Sequence, residues 1–360
     1  MWPSRFYLVL TKHTQHLADS PPAWGATWDP QLEPRLPTGY FQHTHCCDSS
    51  SARSTGLVQH AIIRALARHA SRTLNASAAS VCVVASPPNG ACENWRVLCP
   101  EPLPLVVADI ADVDDFHTKL CPSLWKQGKI CDSGSRRTYR LVSAPPVLVR
   151  QRLVHCPVIT VPWLSHARSP DAAVQHRERT VRIAFAGGIT GHVLARRRGF
   201  ERWRRYLRDA CHGMGSQVLC TAIYQSLAGS MARGAIELYA RSIFCLQPPG
   251  DTLVRTGIVD AISVGCIPVF FHAAQRRLWP QYWHAPAASV LFDWSQQGAS
   301  LSPANATSAL RALIDIPDET VLSLQAAAGY AARRIFYRGE IGPVAQSDAT
   351  DVLVESLWGL

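Results

Sequence analysis

The segment Arg241–His272, RSIFCLQPPGDTLVRTGIVDAISVGCIPVFFH, carries the clearest structural signal in the sequence. Its two ends, Ile243–Leu246 and Ile267–Phe271, are short apolar runs typical of buried parallel strands. Between them, a loop rich in Pro and Gly precedes apolar residues at helical spacing. Because parallel strands need a crossover connection, usually a helix, this order predicts a strand-helix-strand unit of an α/β fold.

The loop between the first strand and the helix has the features of an anion-binding site. Gly250 lacks a side chain, so backbone N–H groups around it can approach a ligand closely. Asp251 or Thr252 is predicted to cap the helix, whose unpaired N–H groups and positive dipole end favour phosphate. Arg255, predicted to lie one turn into the helix, would reach the same anion with a planar fork of donors. The alternatives are a purely capping role for Asp251 and an ordinary surface position for Arg255.

Strands and helices also alternate through the rest of the second half. The order between Val181 and Phe292 predicts parallel sheets with helices on both faces, and ligands then bind at the carboxyl ends of the strands. In the first half, an amphipathic pattern over Thr55–Ala70 and apolar runs at Val81–Val84 and Leu103–Ala108 predict a separate α/β domain. The expected organisation is an N-terminal α/β domain over residues 1–165, irregular over 1–48, a C-terminal α/β domain over 166–345, and a tail or helix over 346–360.

Three stretches resemble the exostosin-like glycosyltransferases, carbohydrate-active family 47. Arg241–His272 is similar to the family's donor-site signature, for which plant members carry a nearly identical FCLQPPGD, Arg, Phe-Asp and GCIPVFFH string. Val181–Gly191 (VRIAFAGGITG) resembles the strand and glycine turn that open the nucleotide-binding half, and Tyr282–Pro286 (YWHAP) resembles an element of the xyloglucan galactosyltransferase branch. The chain departs from the plant pattern at Thr256 and Gly257, where a second Arg and a Ser are usual, and lacks a good copy of the Trp-Asn-Arg and Asp-His-Phe region.

The resemblance implies a GT-B fold, in which two Rossmann-like α/β domains face a cleft. It also implies a UDP-sugar donor that binds the C-terminal domain without a metal ion or other cofactor. Asp260 would then bind the donor ribose, and the alternative is a solvent-facing helix carboxylate. Gly187 and Gly188 would leave room for the donor, and the alternative is that they only allow the chain to turn. The predicted donor-binding residues are Gly187, Gly188, Gly250, Asp251, Thr252, Arg255 and Asp260.

The activity that the resemblance implies is inverting transfer of a sugar, with galactose as the guess, from a UDP-sugar to a hydroxyl group of a glycan or polysaccharide. Arg255 and the helix dipole would stabilise the leaving diphosphate without a metal. The catalytic base is not assigned, and His43, His45 and Asp48 are only candidates from the N-terminal domain.

Two other classes of protein remain open. A nucleotide-sugar-binding protein that has lost catalysis would also show a poorly matched first half. Asp112-Val113-Asp114 mimics the metal-binding DxD of another glycosyltransferase class, but it is more typical of a helix start and supplies few oxygen ligands for a hard cation. His272 and His284 have the chemistry of acid or base groups, whereas single histidines at strand ends and in loops are more often structural.

The formal net charge of +10 arises from 36 basic and 26 acidic residues. A basic surface favours nucleotide diphosphates, acidic polysaccharides or anionic membrane faces. A nucleic-acid partner is not expected, because the arginines are scattered and no binding module with interleaved aromatic residues accompanies them. The cluster Arg202, Arg204 and Arg205 is expected to form a solvated helix face.

The twelve cysteines include no CxxC pair and no zinc-like spacing, which favours disulfides in an oxidising compartment. Cys82, Cys245 and Cys266 lie in apolar strands and are expected to be buried thiols. The pairs at loop-closing separations are Cys92 with Cys99, Cys121 with Cys131, and Cys211 with Cys220.

The resemblance and the cysteines together favour the Golgi lumen or Golgi membrane. The longest N-terminal apolar run, Phe6–Leu10, is far shorter than the roughly 20 residues that span a bilayer. Membrane association would therefore depend on an anchor absent from this sequence or on a partner protein.

Overall fold

The structure, a computed structural model, consists of two compact units. The first unit comprises the described residues before Ser165 and after Phe336, and the second comprises those between. The described residues are 5–10, 62–63, 65–85, 103–111, 138–142, 158–163, 165, 179–188, 199–214, 218–222, 228–250, 253–296, 301–337 and 348–358.

The first unit is built on a six-stranded sheet. Its strands are β1 (Phe6–Leu10), β2 (Arg72–Thr73), β3 (Val81–Ala85), β4 (Leu105–Ala111), β5 (Thr138–Val142) and β6 (Val158–Thr160). They lie in the order β2-β1-β3-β4-β5-β6, and every neighbouring pair is parallel. The predicted strands at 81–84 and 103–108 are thereby confirmed. The predicted helix over 55–70 is described at residues 62–63 and 65–68, where Ile62, Ile63 and Leu66 are buried.

The second unit is built on a five-stranded parallel sheet. Its strands are β7 (Val181–Gly187), β8 (Val218–Ala222), β9 (Ser242–Gln247), β10 (Ile267–Phe270) and β11 (Val290–Leu291). They lie in the order β11-β10-β9-β7-β8. The predicted strand-helix-strand unit is β9, the helix after it, and β10, and both strands are almost entirely buried.

Helices cover both faces of this second sheet. They are α1 (Phe200–His212), α2 (Ala228–Ala240), α3 (Thr256–Ser263), α4 (Ala285–Ala288), α5 (Pro303–Ile314) and α6 (Asp318–Ile335). Helix α1 packs on α5 and β8, whereas α3 packs on α2, α6 and β10. Connections between parallel strands are right-handed. The connections after β7 and β9 run in opposite directions across the sheet, so the helices that follow these two strands lie on opposite faces. Each unit thus has the Rossmann-like character predicted for a GT-B fold.

The strand order of the second sheet reverses between β7 and β9. The connection after β7 leads to β8 on one side, and the connection after β9 leads to β10 on the other. In open α/β sheets, ligands bind outside the carboxyl ends of the strands at such a reversal. The two loops at this switch point are Gly187–Gly188 after β7 and Pro248–Gly250 after β9.

Helix α3 begins later than the sequence predicts. Its first residue is Thr256 and its N-cap is Arg255, whose backbone is extended at φ −143° and ψ 141°. The prediction that Asp251 or Thr252 caps the helix is therefore wrong, as is the prediction that Arg255 lies one turn inside it. From Ile258 to Ser263 the helix is buried on all sides, which explains its apolar composition.

Helix α7 (Ala349–Trp358) belongs to the first unit. Asp351 on this helix accepts a hydrogen bond from Nε2 of His69 at 3.1 Å. Val352, Leu353 and Val354 are buried, so the segment predicted as a tail or helix is a packed helix.

A disulfide links Cys245 of β9 to Cys266, directly before β10, with the two Cα atoms 5.9 Å apart. The prediction that these cysteines are free thiols is wrong, because parallel pairing of β9 and β10 brings them together. Cys82, also predicted to be a thiol, and Cys211 are disulfide-bonded as well. In the part of the chain that the structure describes, no helix is long and apolar enough to cross a membrane.

Candidate functional site

The switch point of the second sheet brings two glycine-containing loops together. Gly187 is the last residue of β7, and Pro248–Gly250 follows β9 directly. These strands are hydrogen-bonded neighbours, with Ala184 opposite Cys245, so their carboxyl ends emerge side by side. The three residues of the second loop are buried, although they belong to no helix or strand. The side chains of Arg204 and Arg255 contact both loops.

Arg255 lies across both loops. Its Nη1 donates a hydrogen bond to the Pro248 carbonyl oxygen at 2.9 Å. Its guanidinium carbon lies 5.9 Å from the ring centroid of Phe185 on β7, within the range of a cation–π contact. Because Arg255 is also the N-cap of α3, its positive charge and the positive end of the helix dipole occupy the same corner of the site.

Glycine is needed at two positions because the arginines lie so close. A Cβ atom built on Gly187 would lie 2.6 Å from Nη2 of Arg255. A Cβ atom on Gly250 would lie 2.7 Å from Nη2 of Arg204 and 3.5 Å from Cγ of Arg255. Any side chain at either glycine would therefore displace a guanidinium group.

Arg204 of α1 is a site residue that sequence reasoning missed. It was expected on a solvated face with Arg202 and Arg205, and those two are exposed, but Arg204 is only 6% exposed. Its Nε donates to the Pro249 carbonyl oxygen and its Nη1 to the Gly188 carbonyl oxygen, both at 3.0 Å. The signal was the spacing of the buried positions of α1, which are Phe200, Trp203, Arg204, Leu207 and Cys211.

A network of buried polar side chains binds the ends of β7 and β9 next to the two loops. The Tyr239 hydroxyl donates to the Ala186 carbonyl oxygen at 3.1 Å and accepts from Nε2 of Gln247 at 3.3 Å. Gln275 donates in turn to the carbonyl oxygens of Gln247 at 2.9 Å and Leu253 at 3.3 Å. Burial raises the pKa of Tyr239, which keeps the hydroxyl protonated as the donor this network needs.

Asp260 lies inside the fold. It is 4% exposed, and its Oδ1 accepts a hydrogen bond from the Ser165 hydroxyl at 3.0 Å. The alternative of a solvent-facing helix carboxylate is therefore wrong, while the ribose contact stays a prediction. Asp251 and Thr252 lie outside the described residues, as do His43, His45 and Asp48. Of the predicted donor-binding residues, the structure brings together Gly187, Gly188, Gly250 and Arg255.

The region that contains this site matches a known family. Residues 149–315 match the Exostosin GT47 domain. This part of the chain is therefore similar to the exostosin GT47 domain. Both glycine loops, both arginines and helix α3 fall inside the matched region, so the resemblance inferred from the sequence motifs is confirmed.

Plant proteins named as glycosyltransferases are similar to parts of this chain. A protein named "Probable xyloglucan galactosyltransferase GT15" of Arabidopsis thaliana is 37% identical over 91 residues, which are 25% of this chain and 19% of that protein. A protein named "Xyloglucan-specific galacturonosyltransferase 1" of the same plant is 38% identical over 106 residues, which are 29% of this chain and 14% of that protein. The chain thus matches less than a fifth of the length of either relative.

Among solved structures, "Spinosyn Forosaminyltransferase SpnP" is similar with a TM-score of 0.35 and 15% identity, over 78% of this chain and 77% of that chain. A similarity this low supports no inference about the site.

His272 follows β10 at the same edge of the sheet in the second unit. Its Nδ1 accepts a hydrogen bond from the Ala274 backbone N–H at 3.1 Å, as the cap of a 3₁₀ turn. Burial lowers the pKa of His272, against the opposing effect of the nearby Asp293 carboxylate. These contacts agree with the structural role expected of it. His284 is exposed and makes no side-chain capping bond to α4.

The last feature of the site concerns side chains that could bind a metal ion. Among the described residues, no three His, Cys, Asp or Glu side chains are grouped so that they could hold a metal ion. Asp112 and Asp114 lie outside those residues, so the absence of a metal from the reaction remains a prediction.

Proposed function

We propose that this chain is a glycosyltransferase that moves a sugar from a UDP-sugar to a hydroxyl group of a glycan. The observation that supports it best is the convergence of Arg255, Gly187 and Gly250 at the switch point, beside the N-terminus of α3. A helix N-terminus and a guanidinium group both attract phosphate, and glycines let the backbone approach it. A nucleoside diphosphate is the leaving group of a nucleotide sugar, and the relatives named as sugar transferases support the same chemistry.

The proposed reaction is a single displacement without a metal ion. The acceptor hydroxyl oxygen attacks the anomeric carbon while the bond from that carbon to the diphosphate oxygen breaks, which inverts the configuration. The electron pair of the broken bond leaves with UDP, and the hydroxyl proton passes to a general base that is not assigned to a residue. Arg255 and the N-terminus of α3 stabilise the negative charge that develops on the diphosphate.

Galactose is the first choice of donor sugar and xyloglucan the first choice of acceptor. One relative is named a xyloglucan galactosyltransferase and the other a xyloglucan-specific galacturonosyltransferase, which makes galacturonic acid the second donor to test. The disulfide between Cys245 and Cys266 supports an oxidising compartment, and we propose the Golgi lumen.

The test is a binding and turnover assay on the purified chain. UDP affinity is measured by calorimetry with and without EDTA, and UDP release is then measured with UDP-galactose, UDP-galacturonic acid and other UDP-sugars on xyloglucan. We expect micromolar to millimolar UDP binding that EDTA leaves unchanged, and release of UDP that depends on the acceptor. Binding without turnover on any donor would favour a sugar-nucleotide-binding protein that has lost catalysis, and loss of binding in EDTA would favour a metal-dependent enzyme.

Arg255→Ala examines the residue on which the proposal depends. A hydrogen bond to a charged group contributes about 1.5–3 kcal/mol, so UDP affinity should fall about 10- to 150-fold. Arg277, an exposed arginine in the same unit, provides the matched control, and Arg277→Ala should leave the affinity unchanged. Wild-type affinity in a folded Arg255→Ala variant would remove Arg255 from the diphosphate site.

A further inference from the structure

We propose that Arg204 is a positioning residue whose buried guanidinium holds the loops after β7 and β9 in the conformation that binds the donor diphosphate. This inference rests on the proposed function, since it concerns the same site. It assigns a role to a residue of α1, a helix that the sequence predicted to present its arginines to solvent.

Aromatic packing fixes the position of Arg204. Phe200 and Trp203, which precede it on α1, contact each other with ring centroids 5.1 Å apart. Trp203 packs edge-on against Trp294 at 5.8 Å, and Phe200 packs edge-on against His272 at 6.3 Å. Trp294 and His272 both follow strands of the sheet at its carboxyl edge. The first turn of α1 is thereby anchored over this edge, and the side chain of Arg204 is directed at the loops.

The guanidinium joins the two loops. Its Nε binds the Pro249 carbonyl oxygen and its Nη1 binds the Gly188 carbonyl oxygen, each at 3.0 Å. Two donors on one rigid plane fix the separation and the orientation of the two acceptors. A lysine has a single ammonium group on a flexible stem, so it cannot hold both carbonyls with the same geometry.

These contacts determine where the loop N–H groups point. In a trans peptide unit the C=O and N–H bonds point in opposite directions. When the Pro249 carbonyl is held against Arg204, the N–H of Gly250 must point to the other side of the loop. Gly250 has no Cβ to restrain its rotation, and there is space for none, because a Cβ would lie 2.7 Å from Nη2 of Arg204. Arg204 therefore fixes the orientation of the Pro249–Gly250 peptide plane, which a side chain on Gly250 would otherwise restrict.

The functional consequence concerns the diphosphate and not the nucleoside. If Arg204 orients the loop N–H groups, its loss lets the loop leave the binding conformation, and the apparent affinity falls with the fraction that remains competent. UDP binding would weaken, while binding of uridine, which lacks phosphate, would not. A residue that acts only on global folding would change both ligands alike.

The experiment compares UDP and uridine binding to Arg204→Met and Arg204→Lys in the full chain. UDP affinity is measured by calorimetry, uridine affinity by ligand-observed NMR, and folding by thermal unfolding. We expect UDP affinity to fall about 10- to 100-fold in Arg204→Met and less in Arg204→Lys, with uridine affinity unchanged. Arg205→Met on the exposed side of α1 is the matched control and should bind both ligands like the wild type.

Three results would overturn the inference. One is an unchanged ratio of UDP to uridine affinity in folded Arg204→Met. Another applies if Arg204→Met does not fold, in which case an unchanged ratio in Arg204→Lys is decisive. The third is a wild-type chain that binds no UDP, which overturns the proposed function and this inference together. The first two results overturn the inference alone, because the wild type still binds UDP.

Discussion

Arginines bind backbone carbonyls at both edges of the second sheet, yet their electrostatic surroundings differ between the two edges. At the amino edge, Arg179 donates to the carbonyl oxygens of Tyr239 at 3.4 Å and Val264 at 2.9 Å, near the C-terminal ends of α2 and α3. Arg182 donates to the Ile314 carbonyl oxygen, at the C-terminal end of α5, at 3.2 Å. Helix C-termini carry partial negative charge, so the fold itself neutralises these cations.

At the carboxyl edge the helices begin, and their dipoles present positive charge. Arg204 and Arg255 also donate to backbone carbonyls there, but Arg255 occupies the N-cap of α3. Placing a cation at a helix N-terminus raises the local positive potential, which a bound anion relieves. The position of the arginines relative to helix ends, and not their number, therefore makes the carboxyl edge the more favourable place for an anion.

The amino edge also has a cavity, of about 430 Å³, lined in part by Arg179, Arg182 and Asp318. Arg182 forms an ion pair there with Asp318, its Nη1 lying 3.2 Å from Oδ1. Burial lowers the pKa of Arg179. Arginines are thus present at both edges, and the glycines that admit guanidinium groups at the carboxyl edge distinguish it from the amino edge.

The largest expected effect tests the close approach at the carboxyl edge. In Gly187→Ala the added methyl group would lie 2.6 Å from Nη2 of Arg255, so the guanidinium must move away from the loop. Since the displaced group is the end of a flexible side chain, we expect the fold to persist and UDP affinity to fall about 10- to 150-fold, the loss of a hydrogen bond to a charged group. Calorimetry with UDP and a thermal unfolding curve measure the two quantities.

The control for this substitution is Gly234→Ala in α2, where nothing lies within 4 Å of the added methyl group. UDP affinity should not change in Gly234→Ala, and replacing a helical glycine should stabilise the chain by about 0.5–1 kcal/mol. A Gly187→Ala variant that binds UDP like the wild type would show that the position of Arg255 does not matter for the anion.

A smaller effect is expected at the amino edge, and on stability alone. Arg182→Ala removes an ion pair with an exposed carboxylate and hydrogen bonds to the C-terminal end of α5, so the free energy of unfolding should fall by about 1–2 kcal/mol. UDP affinity should be that of the wild type. Urea denaturation and calorimetry decide this, and weakened UDP binding in Arg182→Ala would end the contrast between the two edges. Asp318→Asn, which removes the ion pair and one carboxylate from the first turn of α6, should cost less because Asp318 is exposed.

The sequence was most informative where one local signal was sufficient. The apolar runs around the glycine loop predicted β9 and β10 to within one residue, because strands buried on both faces need continuous apolar sequence. The start of α3 was predicted wrongly because Asp251 and Thr252 are good capping residues locally, whereas the extended backbone at Arg255 delays the helix to Thr256.

Arg204 and the disulfide were missed for different reasons. In the string RWRRYLRD each arginine has similar neighbours, and only the helical period places Arg204 on the buried stripe of α1 while Arg202 and Arg205 face solvent. Cys245 and Cys266 are 21 residues apart, and only the parallel register of β9 and β10 makes them adjacent. The burial of Arg204 can thus be read from helical spacing, whereas the disulfide depends on a contact between strands that residue spacing along the chain does not encode.

The smallest expected effect concerns His272, another basic side chain at the carboxyl edge. Burial lowers the pKa of His272 in the folded state below the ordinary value of 6.5, so the unfolded chain takes up the proton at higher pH than the folded chain. Stability from this residue is therefore complete above pH 6.5 and is lost as the pH falls through that value. His272→Asn keeps an acceptor for the Ala274 N–H but does not titrate, so its unfolding midpoint in urea should fall less than that of the wild type between pH 7.5 and 5.5. The expectation is contradicted if His272→Asn and the wild type lose the same stability between pH 7.5 and 5.5. Burial at this edge would then not disfavour a further positive charge, and only the arginines would differ electrostatically between the two edges.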